Sequence, residues 1–460
     1  MPEGIRTRIR KRGQGLAFVN RQVHNHNKTI LHSRKQITSD KNREFCMTSN
    51  AFLFSEPVTA ERLSWVADSL KYFFVNLHPD ALRHQSKDSL SFSVFFLTGD
   101  ALYSLHDEET RPLWEIILSL PSVQLVCDRE ELDLRGLSVE SLKMKYPNQI
   151  ADQNGRRKSF PRSFWRELVR VWRQFEPGSG SFGCFQISSP YMNRSSQYSL
   201  ACLHAAVEEQ MAPEFYGYLD GIHLTHFNQK PAEFRNNGEE FLEIEDIARK
   251  RDLPFLMLAC GRCAGERGYS TWDDGKGIVI STCTIEPCKI RDLSAIVDRF
   301  RKSHPVVGES AGIINIKKGA GTEPDHWGRK EPDAPPLVVF LTHSPYGTEH
   351  TFGGLSFAIA AAHQGIATRV IFIEDGIYTL TGTHAAEPDD VFFNIQDVID
   401  TAAGSENLEL YAYTPSFQRR SIQKNKKLNG VLDIGPAELA QRLFSPPKGI
   451  IANHQRVLFF

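Results

Sequence analysis

The chain of 460 residues repeats two short motifs with one constant spacing. The motif Ser-Pro-Tyr at 189–191 recurs at 344–346, and Asp-Gly-Ile at 220–222 recurs at 375–377, both with an offset of 155 residues. In each copy an apolar, strand-like run precedes the first motif, and an Ala-rich helical stretch and a second apolar run follow it. Two matches in one register predict that the chain contains more than one copy of the same small fold.

A fainter copy lies upstream of these two. The order of strand, loop and helix recurs over residues 51–74, and an apolar run at 92–97 leads into Asp100. Strands that alternate with helices at this spacing are typical of parallel sheets covered by helices on both faces. The sequence therefore predicts an α/β protein with three tandem parallel-sheet domains.

Composition marks the boundaries between the predicted domains. We assign domain 1, the divergent copy, to residues 47–176, domain 2 to 182–305 and domain 3 to 336–460. Residues 306–335 are predicted to form a linker, because the stretch that begins at Gly319 is rich in Gly, Pro and charged residues.

Residues 1–46 differ in character from the rest of the chain. They carry eleven Lys or Arg against three acidic residues, without a sustained apolar pattern. Such a segment cannot bury enough apolar surface to fold alone, so we predict a disordered basic leader. An Arg-rich leader is typical of a targeting segment or a nucleic-acid arm, and the alternative is an extension upstream of a natural start at Met47.

The overall composition narrows the class of protein. Lys and Arg total 54 against 55 acidic residues, a formal net charge of -1, so no direct nucleic-acid binding is predicted for the whole chain. The longest apolar runs have the length of a strand and fall short of the roughly 20 residues of a membrane helix. Eight cysteines are too few and too unevenly placed for a secreted disulfide framework, which favours reduced thiols in a cytoplasmic protein.

Two cysteines end apolar runs at the place where reactive groups gather in such folds. Cys127 and Cys260 both lie at the carboxyl end of a predicted parallel strand. There a thiol meets the amino end of the next helix, whose dipole favours the thiolate. Cys263 completes a Cys-x-x-Cys motif, in which the second thiol resolves or protects the first in redox or persulfide chemistry. The candidate catalytic residues are therefore Cys260, Cys263 and Cys127, although a single cysteine in a strand is also typical of a buried small hydrophobe.

The cysteines of domain 2 allow a second interpretation. Cys283 and Cys288 follow the first pair after about twenty residues, which approaches the spacing of a zinc ribbon. His223 and His226 follow the Asp-Gly strand end and would lie on the same edge of the sheet. The alternative to thiol chemistry is a zinc site drawn from Cys260, Cys263, Cys283, Cys288, His223 and His226.

Two stretches resemble the DsrE/DsrF-like family of sulfur-relay proteins, which includes TusD and TusC. Residues 336–381, PLVVFLTHSPYGTEHTFGGLSFAIAAAHQGIATRVIFIEDGIYTLT, are similar to the DsrF/TusC type. Residues 256–268, LMLACGRCAGERG, are similar to the DsrE/TusD segment whose reactive cysteine stands eight residues before the glycine of Arg-Gly. Cys260 occupies that position. Domain 3 has Tyr413 near it and no thiol after Cys288, which suggests a docking role.

The resemblance implies a fold and a function. Each domain is expected to hold a five-stranded, flavodoxin-like parallel sheet, and three fused copies would form a pseudo-trimer that pairs with a second chain as a homodimer. The implied function is an intracellular sulfur carrier or sulfurtransferase that relays sulfane sulfur, as a cysteine persulfide, between donor and acceptor carrier proteins. If catalytic, it is a persulfide sulfurtransferase that needs no cofactor. The alternative is a non-catalytic DsrE-fold scaffold or a zinc-binding protein.

The leader gives a first test. Deletion of residues 1–46 is expected to leave the melting temperature of the chain unchanged, because this segment lacks the apolar residues that would offset its ordering entropy. Differential scanning calorimetry of the full chain and of a chain that begins at Met47 measures the difference. A drop of several degrees would mean that the leader packs on the folded body.

Overall fold

The computed structural model describes residues 48–77, 92–120, 122–145, 163–191, 194–273, 275, 278–302, 304–316, 334–382, 384, 394–425 and 428–460. The predicted leader, residues 1–46, lies outside them. The strands are β1 Thr48–Phe54, β2 Phe92–Leu97, β3 Val123–Cys127, β4 Ser181–Gln186, β5 Ala212–Gly217, β6 Leu256–Cys260, β7 Ser270–Asp273, β8 Ile278–Ser281, β9 Cys288–Arg291, β10 Val306–Gly308, β11 Ala311–Asn315, β12 Leu337–Leu341, β13 Thr368–Phe372, β14 Leu408–Tyr413, β15 Val431–Ile434 and β16 His454–Phe459.

The helices connect the strands of each sheet. The α-helices are α1 Ala60–Tyr72, α2 Arg111–Ser119, α3 Arg129–Leu134, α4 Val139–Lys145, α5 Phe164–Phe175, α6 Ser195–Glu208, α7 Asn237–Lys250, α8 Gly261–Glu266, α9 Leu293–Arg301, α10 His350–His363, α11 Ile395–Ala403, α12 Thr414–Arg420 and α13 Pro436–Phe444. A π-helical turn at Phe73–Leu77 extends α1, and 3-10 helices follow β2, β5 and β13 at Gly99–Leu105, Leu219–Thr225 and Glu374–Leu380. In the described part of the chain, no helix is both long enough and apolar enough to cross a membrane.

The strands form two large sheets and one hairpin. The nine-stranded sheet has the order β15-β14-β13-β12-β16-β11-β1-β2-β3, the five-stranded sheet has the order β10-β4-β5-β6-β9, and β7 pairs with β8. All neighbours in the five-stranded sheet are parallel. In the nine-stranded sheet β11 is antiparallel to both β1 and β16, whereas the other neighbours are parallel. The α/β class with mainly parallel sheets is confirmed.

Two groups of five strands share one topology. In the group β12 to β16, the first strand lies between the second and the fifth, and the third and fourth follow outward. The group β4, β5, β6, β9 and β10 has the same order. Strands β1, β2 and β3 repeat the first part of this order, and β11 occupies the place beside β1.

The predicted linker at 306–335 is wrong in its first part. Val306–Gly308 forms β10 at the edge of the five-stranded sheet, and Ala311–Asn315 forms β11 inside the nine-stranded sheet. The Gly- and Pro-rich composition that suggested a linker begins only at Gly319, whereas the residues before it are apolar and favour strands.

Helices bury both faces of the nine-stranded sheet. Along β2, Phe95 and Leu97 belong to one apolar cluster, and Val94 and Phe96 belong to another. Successive side chains of a strand point to opposite faces, so both faces of β2 are covered. On one of them Trp172 of α5 meets the Phe96 ring edge-on at 5.9 Å between centroids. Burial on both faces explains why these strands read as almost continuous apolar runs.

Glu309 stands in the two-residue connection between β10 and β11. Its carboxylate accepts hydrogen bonds of 2.6 Å from the backbone N–H groups of Ile187 and Ser188 and from the Ser188 hydroxyl. Its backbone carbonyl accepts a bond of 2.7 Å from the Ser55 hydroxyl. The connection therefore ties the end of β1 to the end of β4. Burial, followed by the nearby charge of Glu56, raises the pKa of Glu309 to about 7 in spite of these bonds.

A raised carboxyl pKa gives folding a defined pH dependence. The folded chain holds the Glu309 proton more tightly than the unfolded chain, so this group's contribution is complete at acid pH and is lost as pH rises through about 7. The variant Glu309→Gln keeps the shape and never ionises. We expect its free energy of unfolding, relative to the unsubstituted chain, to rise by up to about 3 kcal/mol between pH 4 and pH 8.

Urea unfolding of the two proteins at both pH values measures this difference. Ser119→Ala, on an exposed helix surface, controls for the general effect of pH on the fold. A difference between Glu309→Gln and the unsubstituted chain that stays constant with pH would contradict the prediction.

Candidate functional site

Cys260 and Cys263 lie together where β6 ends and α8 begins. Cys260 is the last residue of β6 and the N-cap of α8, and Cys263 is the third residue of the helix. An N-cap side chain faces the backbone N–H groups of the second and third helical residues, here Arg262 and Cys263. Both cysteines are buried, with exposed fractions of 1% and 6%.

The contact between the two thiols sets their protonation. The hydrogen bond from the Cys263 side chain is the largest effect on Cys260, and it acts with the backbone N–H groups of Cys263 and Arg262 and with the Arg262 charge. Together they outweigh burial and lower the pKa of Cys260 from 9.0 to about 7. The same hydrogen bond, with burial, raises the pKa of Cys263. The contact therefore favours the thiolate on Cys260 and the proton on Cys263.

Cys127 ends β3 as Cys260 ends β6, but its surroundings are different. Its side chain is fully buried in the apolar cluster against α1 and α2. Burial and the adjacent charge of Asp128 raise the pKa of Cys127. The following helix is capped by the Asp128 carboxylate, which accepts a hydrogen bond of 3.2 Å from the Glu130 N–H. A buried thiol beside a carboxylate favours its protonated form, so these surroundings differ from those of Cys260. A nucleophilic role for Cys127 stays a prediction.

The carboxyl-terminal part of the chain covers the neighbourhood of Cys260. The Tyr218 hydroxyl donates a hydrogen bond of 3.1 Å to the carbonyl of Gly353 in α10. The Arg262 guanidinium stands over the ring of Phe352, 5.5 Å from its centroid. Burial, and then the proximity of Cys263 and Cys260, raise the pKa of Tyr218, which therefore remains a neutral phenol. The thiol pair is thus enclosed by two parts of the chain.

An arginine bridge also joins the neighbourhood of Cys260 to α10. Arg267, just after α8, donates to the Asp220 carboxylate at 2.8 Å and also forms an ion pair with Glu349, the N-cap of α10. Its guanidinium is 13% exposed. The bridge ties the ends of β5 and β6 to the start of α10.

Two further arginine residues each bridge two carboxylates in the same way. Arg420, the last residue of α12, binds Asp375 at 2.9 Å and Glu61 of α1 at 2.7 Å. After α3, Arg135 binds Asp100 at 2.7 Å, and it also pairs with Glu131. Glu131 in turn accepts a bond of 2.8 Å from Arg194 and one of 2.9 Å from the Tyr198 hydroxyl, both at the start of α6. Each bridge joins strand ends in one part of the chain to the first helix of another.

The residues of the predicted zinc site do not form one cluster. His223 contacts the Tyr269 hydroxyl at 2.6 Å through Nδ1, and the ring of His226 packs edge-on against Tyr269 at 5.5 Å between centroids. Cys283 is half-buried near Tyr269. Cys288 is buried at the start of β9, and burial raises its pKa to about 12. Among the described residues, no three or more His, Cys, Asp or Glu side chains are placed to hold a metal ion.

A cavity of about 430 Å³ opens where three parts of the chain meet. Its lining includes the charged residues Glu56, Arg62, Asp100, Arg135, Arg194 and Glu374. Arg62 donates two hydrogen bonds of 2.9 Å to the Glu374 carboxylate. Within the described ranges no cysteine lines this cavity, so it is separate from the thiol pair.

Sequence reasoning missed several residues of this region. Tyr218 and Glu349 carry no motif, and they come near the thiol pair only through packing between distant parts of the chain. The Arg-Gly pattern after β6 did mark Arg267, and the Asp-Gly motif marked Asp220. Their pairing could have been anticipated, because both follow strand ends on one edge of a parallel sheet.

Comparison with known proteins gives a family for one part of the chain. The model of the DsrE/DsrF-like family matches residues 336–444. The uncharacterized protein MK0008 of Methanopyrus kandleri is 26% identical over 95 residues, which cover 21% of this chain and 75% of that protein. The crystal structure of the ychN protein from E. coli is 24% identical and covers 27% of this chain and 99% of that chain, with a TM-score of 0.23.

The family match supports a coarse functional statement. The DsrE-like family is associated with sulfur relay, and residues 336–444 carry its signature. That stretch contains no cysteine, since the last one in the chain is Cys288. The thiol pair therefore lies outside the residues that the family model matches.

The thiolate at Cys260 is testable by its pH dependence. The rate of alkylation of Cys260 by iodoacetamide is expected to rise with pH around a midpoint near 7, because only the thiolate reacts. Cys263→Ala removes the main hydrogen bond and should move the midpoint upward, whereas Cys263→Ser keeps a donor and should move it less.

Peptide mass spectrometry of partly alkylated samples measures the rate at each cysteine. Cys283→Ser is the control, because it leaves the Cys260 contact intact. Equal midpoints in the unsubstituted chain and in Cys263→Ala would show that Cys263 does not stabilise the thiolate.

Proposed function

We propose that this chain is a sulfur carrier or sulfurtransferase in which Cys260 carries sulfane sulfur as a persulfide. The observation that carries the proposal is the position of Cys260 as the N-cap of α8, where Cys263, two backbone N–H groups and Arg262 favour its thiolate and lower its pKa. A thiolate at neutral pH is the form that attacks sulfur. The family match of residues 336–444 supports sulfur relay as the setting.

The chemistry needs only thiol exchange. The Cys260 thiolate attacks the outer sulfur of a donor persulfide, the donor S–S bond breaks, and the donor leaves as a thiolate. Cys260 then carries the sulfur until the thiolate of an acceptor protein attacks it in the same way. The net reaction is transfer of one sulfur atom, without a cofactor.

We also infer that the chain contains three related units, at 47–176, 182–305 extended by β10, and 336–460. The shared strand order and the three arginine bridges support this interpretation. The third unit has no thiol and contributes Gly353, Phe352 and Glu349 to the surroundings of Cys260. Its role is contact with the second unit rather than sulfur chemistry.

Burial sets a condition on this function. With Cys260 only 1% exposed, a protein thiol reaches it when α10 moves away from Arg262 and Arg267. We propose that docking of the donor or acceptor protein supplies this opening. Free thiols at the seven described cysteines agree with a reducing, cytoplasmic location. Pairing of two chains as a homodimer belongs to the same proposal.

The burial of Cys260 also favours the alternative, a non-catalytic scaffold on the same fold. A scaffold would keep its buried thiols unmodified in the presence of a sulfur donor. Zinc binding by the second unit is the other form of this alternative, and metal analysis of the purified chain distinguishes it from a carrier.

A persulfide donor tests the function directly. The variant Cys263→Ser is treated with glutathione persulfide, alkylated and digested. We expect an added sulfur atom on the peptide that contains Cys260, because serine still donates a hydrogen bond to the thiolate. In the double variant Cys260→Ser/Cys263→Ser, mass spectrometry should show no such adduct on this peptide.

Two outcomes would count against the proposal. An unmodified Cys260, with the donor consumed only at the half-buried Cys283, would favour the scaffold. An adduct on Cys127 that persists in the double variant would move the carrier site to the first unit. The double variant Cys127→Ser/Cys263→Ser is the matched control for this second outcome, because it removes the Cys127 thiol and leaves Cys260 in place.

A further inference from the structure

Cys263 has a feature that sulfur carriage alone does not require. A carrier needs one nucleophilic thiol, but here a second thiol is held in hydrogen-bond contact with it. The two residues lie at the N-cap and third positions of α8, so their side chains share one side of the first turn. No rearrangement between distant parts of the chain is needed to bring these sulfur atoms together.

We propose that Cys263 discharges the Cys260 persulfide and that the chain thereby releases sulfide. This inference rests on the proposed function, because it starts from the loaded form of Cys260. The Cys263 sulfur attacks the inner sulfur, Cys260 Sγ. A disulfide forms between Cys260 and Cys263, and the outer sulfur leaves as hydrosulfide.

The step balances without another reactant. One S–S bond breaks and one forms. The two cysteine sulfurs are oxidised to a disulfide, and the outer sulfur is reduced from sulfane sulfur to sulfide. The proton of Cys263 goes to the departing hydrosulfide, which becomes hydrogen sulfide. A dithiol reductant, acting after release, returns the pair to its starting state.

Loading of Cys260 changes what acts on Cys263. In the resting pair, the hydrogen bond to the Cys260 thiolate is the first cause that keeps the proton on Cys263, and the Cys260 charge adds to it. Once Cys260 Sγ carries a second sulfur, it is no longer a thiolate, and negative charge moves to the outer sulfur, so both effects on Cys263 weaken. Burial still opposes ionisation, whereas the nearby Arg267 charge favours it. The sulfur that was the donor can then become the nucleophile.

Enclosure favours this internal attack over transfer to a protein. With exposed fractions of 1% and 6%, both cysteines are buried, so a thiol on the surface of another protein does not reach them in this conformation. A thiol held in contact reacts as if it were present at very high concentration. The same site would therefore relay sulfur when a partner protein opens it and release sulfide when none is bound.

The test is a single-turnover experiment without oxygen, so that air cannot form the disulfide. The unsubstituted chain is loaded briefly with glutathione persulfide and desalted, and free sulfide is trapped with monobromobimane. We expect one sulfide per loaded chain and a disulfide-linked Cys260–Cys263 peptide. Cys263→Ser should keep the persulfide on Cys260 and release sulfide more slowly by on the order of a hundredfold.

Cys283→Ser serves as the matched control, since it removes a more exposed thiol outside the pair, and it should behave like the unsubstituted chain. Sulfide release from Cys263→Ser at the unsubstituted rate would overturn the inference. A stable persulfide in the unsubstituted chain, with Cys263 still open to alkylation, would overturn it too while leaving the carrier function intact. Failure of Cys263→Ser to load at all would remove the proposed function and this inference together.

Discussion

Antiparallel pairing of β11 on both of its edges is the constraint on which the rest of the structure depends. Residues 311–314 pair with β1 on one side, and all five residues of the strand pair with β16 on the other. Because both neighbours run in the same direction, the carboxyl ends of β1 to β3 and of β12 to β16 lie along one edge of a single sheet. The Asp and Arg residues that follow those strand ends are thereby placed where they can meet.

Buried ion pairs between arginine and carboxylate side chains turn this alignment into specific contacts. The side chains of Arg62 and Glu374 are only 6% and 7% exposed. Two nitrogen atoms of Arg62 donate hydrogen bonds to the two carboxylate oxygens of Glu374. Removing two charges from water costs most of the free energy that the ion pair gains, so its main effect is to penalise any other arrangement of the two segments that it joins. The same reasoning applies to the buried Glu309, whose hydrogen bonds form only when the ends of β1 and β4 lie in this arrangement. Polar contacts between these segments select how they are arranged, and apolar packing stabilises that arrangement.

The sequence predicted local features well and pairing between distant strands poorly. The bounds of β2, β3, β12 and β14 follow directly from apolar runs, since strands buried on both faces leave little room for polar residues. Strand β11 was missed because its partners lie more than a hundred positions away on either side, and no local pattern reports such pairing. The Cys-x-x-Cys motif marked the thiol pair, whereas the contrast between Cys260 and Cys127 depends on neighbours that only packing supplies.

The position of β11 along the chain has a consequence for synthesis on the ribosome. The strands of the five-stranded sheet are all made once β10 has emerged, so that sheet can close while translation continues. Strand β1, although made first, keeps one edge unpaired until β11 appears, and β11 then waits for β16 at 454–459. An unpaired strand edge in a nascent chain is open to wrong pairing with other polypeptides. The first strand of the nascent chain is therefore open to such wrong pairing for most of the time needed to translate the message.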